Sequence, residues 1–447
     1  MTLPVHFAEH AQRQALNEEF HARPPVPLES PQLISYLALL HDGEQPGAAL
    51  QHLIALGKLL DRPIDVEGSH SLIDFGSFQL KWELHNEFSS YTIFRAVAPG
   101  EGLDDSTSAL AVVPAAWLQS IPGQLIVATH VELRSAAEIT PESVMARLSP
   151  TGRQMVGARV ADGAAWVFTD FLFENGFSRF LVIDVALTRR QAGRTVQRLV
   201  EIETYRLMAL LAFPVAKEVG RTLGASERLL AELMDRTGSA RSPEDERSVL
   251  ADLTKMAAEV EHSVARTTFR FGATRAYHSL VMQRIDELRE ERISGLPTFH
   301  EFMERRLLPA MHTCETMARR QEDLSGRVAR NSQLLRTRVE VELERQNQEL
   351  LGQMNSRAKL QHHLPEAREG LSVVAITYYA SQLVQYMAKG VKHYIEPLTP
   401  EILTAAAIPL IALFVAIGTR RMRKHLAAAE GSSHCAPPAL FAPTLHL

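Results

Sequence analysis

The pattern of apolar and polar positions changes character near residue 188. Before it, six short runs rich in β-branched and aromatic residues read as strands: SFQLKWEL (77–84), SSYTIFRAV (89–97), GQLIVATHVEL (123–133), RQMVGARV (153–160), AAWVFTDFLF (164–173) and FSRFLVIDVAL (177–187). ADG (161–163) and ENG (174–176) separate the last three, and Gly and Asn tolerate the positive φ of tight hairpins. Helices are predicted near 9–20, 30–40 and 44–60, the last with Leu50, Leu53, Ile54 and Leu60 on one face. ALAVVPAAWLQS (109–120) and TPESVMARLS (140–149) read as helices between strands. The second has Thr140 as N-cap and Pro141 at the first helical position.

After 188 the strand signal stops. The run 189–221 is a long helix with a kink predicted at Pro214. Further helices are predicted near 224–236, 243–265 and 274–293, and another opens at LPTFHEFMERRLLPAM (296–311). From 324 to 364 apolar residues recur at a spacing of eleven: Leu324 and Leu335; Val328, Val339 and Leu350; Leu343 and Met354. Eleven residues in three turns is about 3.67 per turn, the repeat of a nearly straight helical stalk. Such a stripe serves either a helix packed on its own domain or a bundle of stalks from several subunits, and a homo-oligomeric bundle is the favoured reading.

ILTAAAIPLIALFVAIGT (402–419) carries no charge, and about 18 residues at 1.5 Å each reach ~27 Å, enough for a bilayer core. RRMRKH (420–425) follows directly and marks a cytoplasmic flank. The N-terminus lacks the apolar core of a secretory signal, so the large N-terminal part is expected in the cytoplasm as well. Both ends on one side require a second span, and LSVVAITYYASQLVQYMAKGV (371–391) is the candidate, with KHYIEPLTPE (392–401) as outer loop. The alternative for 371–391 is an amphipathic helix lying on the membrane surface. Thr377, Ser381, Gln385 and Lys389 are spaced four apart and share one helix face. They would either line a pore or hydrogen-bond between helices.

The expected fold class is therefore an α+β cytoplasmic domain, an all-α helical and stalk region, and a two-helix transmembrane hairpin. The expected divisions are 1–187, 188–323, 324–369, 370–425 and a tail at 426–447. Apolar content of 46% and charged content of 22% are globular values. A net charge of −5 over 447 residues argues against general nucleic-acid binding. The two cysteines, Cys314 and Cys435, have no metal-like spacing and form no disulfide framework.

Catalytic signatures are absent: the sequence holds no phosphate loop, G-x-G-x-x-G, H-E-x-x-H or G-x-S-x-G. EVEH (259–262) is half of a di-iron motif without a second copy, and HEFME (300–304) reads as a solvated helix face. Nothing implies a cofactor. Two polar clusters stand out. NEEFHARPP (17–25) ends a helix against Pro24 and Pro25, and Pro24 pushes Arg23 into extended backbone. WELHNEFSSYTIFR (82–95) reads as strand, with Glu83, His85 and Glu87 on one face. His21, Arg23, His85 and Glu87 could together hold a small anion or a metal. The favoured reading is a structural clasp in which Arg23 pairs with Glu87.

LNEEFHARPP, HNEFSSYTIFR, IETYRLMALLAFPVAKE, REERISGLPTFHEFMERRLLPAMHTCE and EGLSVVAITYYASQLVQYMAKG occur in that order along nearly the whole chain. In these blocks the sequence resembles a bacterial family of uncharacterised membrane-anchored proteins, the domain-of-unknown-function family DUF 3422. The resemblance implies a membrane anchor and no assigned activity, and it supplies no catalytic residues. The layout of head, stalk, two spans and basic tail also looks like the CorA-type magnesium channels. That family's Gly-Met-Asn motif follows its first span, whereas MAKGVKHYIEP (387–397) stands here.

The function expected from sequence is a scaffold or sensor at the inner membrane, non-enzymatic, contacting lipid and copies of itself and binding a partner or ligand through its head. The alternatives are an ion channel of CorA layout and a metal-dependent enzyme in the head. A polar pocket at His21 and His85 would favour the last.

Overall fold

The computed structural model describes residues 9–14, 16–17, 24–41, 47–64, 66, 68–98, 107–139, 143–144, 154–390 and 400–430. The chain divides into two compact units, Met1–Arg336 and Thr337–Leu447.

The first unit is built on one mixed sheet of nine strands. In chain order they are β1 (Gln32–Leu40), β2 (His70–Asp74), β3 (Gln79–Leu84), β4 (Phe88–Ala96), β5 (Gln124–Ser135), β6 (Val156–Val160), β7 (Ala165–Thr169), β8 (Ser178–Asp184) and β9 (Glu291–Arg292). Across the sheet they run β2-β3-β4-β1-β5-β8-β7-β6-β9. The β5–β8 pair is parallel and every other pair is antiparallel.

All six predicted strands form. The two predicted hairpins also close: Ala161, Asp162 and Gly163 take φ of 55°, 58° and 81°, and Asn175 and Gly176 take 52° and 86°. Glu174 and Phe177 exchange backbone hydrogen bonds of 2.8 and 3.1 Å across the second turn.

The predicted helix at 30–40 is instead β1, the strand between β4 and β5. QLISYLALL is apolar on both faces because helices cover both sides of the sheet, and a short all-apolar run has no period to separate strand from helix. WELHNEFSSYTIFR is likewise not one strand. β3 stops at Leu84, β4 starts at Phe88, and the His85 N–H bonds the Phe88 carbonyl at 2.9 Å across a tight turn. ALAVVPAAWLQS breaks at Val113–Pro114 into a 3-10 turn (Ala109–Val112) and helix α2 (Ala115–Gln119). Of TPESVMARLS, only Ser143 and Val144 are described, and both are helical. Arg13, Gln14, Leu16 and Asn17 are helical, as predicted for 9–20.

Helix α1 (Gly47–Leu59) and α2 cover one sheet face, where Leu53, Leu56 and Trp117 pack on Leu33, Leu37, Trp82 and Tyr91. The other face is covered by α3 (Arg189–Leu210), α5 (Pro243–Leu288) and α6 (Phe299–Arg306). There Val196, Leu199, Ile202, Val281, Ile285 and Phe299 share a core with Ile34, Val131, Leu133, Phe180 and Val182. Residues of the predicted head and of the predicted helical region thus bury one core in common.

Capping boxes open α3 at Thr188/Gln191, α5 at Ser242/Asp245 and α6 at Thr298/Glu301. α3 gives way at Leu211 to α4 (Ala212–Ser239), because Pro214 cannot donate to the carbonyl of Leu210. The separate helices predicted within 224–293 are the continuous α4 and α5, and the strand signal returns after 188 in the two residues of β9, which pair with β6.

Helix α7 (Leu308–Gly390) contains the eleven-residue stripe. Its first residues, Leu324, Val328 and Leu335, are buried against Leu223, Leu230 and Leu233 of α4 and Val249, Leu253 and Met256 of α5. That part of the stripe is intramolecular packing. In the second unit Leu343, Leu350 and Met354 are exposed.

Helix α8 (Pro400–Glu430) carries a stretch, Thr404–Arg421, of mean hydropathy 1.4 with none of it buried. Among the described residues it is the one helix long and apolar enough to cross a membrane.

Candidate functional site: a charged cavity between sheet and helix

On β3, Leu80 and Trp82 face the core under α1, so Lys81 and Glu83 must face the opposite side, under α3. Elsewhere that side of the sheet is mostly apolar, but here it carries an ion pair. Lys81 Nζ lies 3.0 Å from Glu83 Oε1, and the two side chains are 8% and 13% exposed. Above them is a cavity of about 290 Å³, bounded by β1, β3, β4, α3 and Arg284 of α5.

The chain enters the cavity wall just after the proline corner. The Leu28 N–H bonds the Arg189 carbonyl at 3.0 Å, which ties the segment to the start of α3. A Cβ on Gly193 would stand 2.0 Å from the Val26 carbonyl oxygen. Glycine at 193 therefore lets the two backbones meet and sets Val26 in the wall.

The helical wall is also charged. Arg284 pairs with Glu201, and its Nη1 lies 2.9 Å from Glu287 Oε1. Arg198 Nε lies 3.1 Å from Glu287 Oε2, and Gln197 Nε2 donates to Glu201 at 2.8 Å. Burial works against the Arg284 charge, but Glu201 and then Glu287 outweigh it and raise its pKa. Burial likewise pushes Glu287 up, and Arg284 leads the groups that hold it below its ordinary value. Thr204 Oγ1 sits 3.0 Å from the Tyr36 hydroxyl and 2.7 Å from the Val200 carbonyl oxygen. Burial holds the Tyr36 phenol protonated far above its ordinary range.

The matching family is described as "Protein of unknown function (DUF3422)", and its profile covers residues 8–426. The chain belongs to this family. No curated protein matches the chain. The magnesium-channel likeness thus rests on layout alone.

In this DUF3422 chain, His85 lines the cavity and stacks on Phe88 with ring centroids 4.3 Å apart. Glu87 sits in the β3–β4 turn and faces α5, where Arg270 Nη2 lies 2.6 Å from one carboxylate oxygen and the Tyr277 hydroxyl 2.9 Å from the other. Glu87 thus clasps the hairpin to a helix. The Arg23 and His21 named with it lie outside the described residues. Tyr277 stacks on Tyr205, a wall residue of the cavity, at 5.8 Å.

Thr377, Ser381, Gln385 and Lys389 lie along α7 as predicted. The Thr377 hydroxyl donates to the Val373 carbonyl at 2.7 Å, and that of Ser381 to Tyr378 at 2.8 Å. Both donors are satisfied within their own helix. Among the described residues, no cluster of three His, Cys, Asp or Glu residues could hold a metal ion.

Lys81, Gln197, Glu201 and Arg284 were not singled out from sequence. Lys81 and Glu83 alternate with Leu80, Trp82 and Leu84, which reads as a half-exposed strand with its polar face in water. Nothing local says that a helix roughly 115 residues later covers that face.

Proposed function

We propose that this chain is a membrane-anchored binding protein whose first unit encloses a small polar ligand in the cavity between β3 and α3. The observation carrying this reading is the Lys81–Glu83 pair, buried at the floor of the cavity. Removing two charges from water costs several kcal/mol per ion, and apolar residues of similar volume generally serve folding as well or better. A buried pair that lines a cavity is better accounted for by a ligand that needs it.

The anchor in this reading is a two-helix hairpin of 371–391 and α8, with both termini in the cytoplasm and the RRMRKH flank at the inner face. The lipid bilayer would cover the exposed apolar residues of α8. Copies of the chain would associate through the exposed part of the α7 stripe.

The test is the small-molecule content of the full chain purified in detergent, read by native mass spectrometry. A stoichiometric non-lipid adduct should accompany the protein and be lost from a Lys81→Met/Glu83→Met variant that keeps its circular dichroism. An adduct retained by that variant, or none in the parent, would contradict the reading.

A further inference from the structure

We infer that the ligand is a small zwitterionic amino acid with an apolar side chain, an inference that rests on the binding role proposed above. The charged residues of the cavity wall come as neutral pairs, Lys81 with Glu83 on the sheet side and Arg284 with Glu201 on the helical side. A ligand of one sign would bring an uncompensated charge into a largely desolvated space, which is strongly unfavourable. A zwitterion brings both signs and offers each wall an opposite one.

The wall has an opening for each end. Lys81 is 6% exposed, and its ammonium has three N–H donors. Glu83 takes one, and no other ion-pair or hydrogen-bond partner for Lys81 stands among the described residues. A ligand carboxylate fits there. On the helical side the need is reversed. Gln197 gives its N–H to Glu201 and leaves Oε1 buried with no hydrogen bond. Arg284 is already engaged with Glu201 and Glu287. That wall therefore keeps one buried acceptor, Gln197 Oε1, without a donor, and a ligand ammonium supplies it. Val26, Phe88, Phe94, Val196 and Val200 complete the lining and suit an aliphatic or thioether side chain. A volume of about 290 Å³ lies at the low end for small-molecule sites, roughly 300–1,000 Å³.

The experiment is isothermal titration of the detergent-purified full chain with each of the twenty amino acids, then with 3-methylbutanoate and 3-methylbutylamine. These two probes keep the isobutyl group of L-leucine and carry one charge each. An apolar amino acid such as L-leucine or L-methionine should bind saturably, and both single-charge probes at least tenfold more weakly. Gln197→Leu should weaken the amino acid at least tenfold. Lys81→Met/Glu83→Met, which removes both partners and leaves no lone buried charge, should do the same while keeping its circular dichroism. If 3-methylbutanoate matches L-leucine, or if the wild-type protein carries an adduct but binds no amino acid, the ligand class is overturned and the binding role stands. If it binds no amino acid and carries no adduct, both fall.

Discussion

Glu87 shows how far a single residue could be placed from the sequence. It was expected to pair with Arg23, which lies outside the described residues, and in the structure it holds Arg270 and Tyr277 of α5. The pairing with α5 spans about 180 residues of chain, and no local spacing encodes it. Arg270 and Glu87 are 23% and 14% exposed, so the pair is shielded well enough for its geometry to matter. A double-mutant cycle on Glu87→Ala and Arg270→Ala, read by chemical denaturation, should give a coupling of roughly 1–3 kcal/mol, as residues in direct contact do. Additive losses would mean that the hairpin is held by packing such as His85 on Phe88. Lys81 carries the opposite lesson. A lysine between two core residues of a strand looks like a solvent-facing residue, and only the helical layer above it makes it a buried one.

At the scale of elements, the hairpin turns and the break at Pro214 were legible because each depends on a few adjacent residues. β1 was not, because burial on both faces removes the alternation that marks a strand. The α7 stripe was legible as a period but not as an interface. Leu324, Val328 and Leu335 meet α4 and α5, whereas Leu343, Leu350 and Met354 stay exposed. The two halves should therefore respond differently to mutation. Leu335→Ala should destabilise the chain by about 2–4 kcal/mol, the usual result of emptying a core position. Leu343→Glu, Leu350→Glu and Met354→Glu together should leave the melting of the first unit unchanged and lower the mass of the detergent-solubilised particle, measured by light scattering. An unchanged particle mass would exclude the outer stripe as the assembly seam.

On the scale of the whole molecule, the proposal joins a cavity in one unit to an anchor in the other, and one measurement reaches both. It is a cryo-electron microscopy map of the full chain reconstituted in lipid nanodiscs. The account predicts non-protein density in the cavity between β3 and α3, in contact with Lys81 and Gln197. It also predicts 371–391 and α8 as two antiparallel helices within the disc, with Thr399 and Ser432 on opposite sides. A cavity filled by the chain's own side chains, or a map in which α8 alone enters the bilayer, would contradict it.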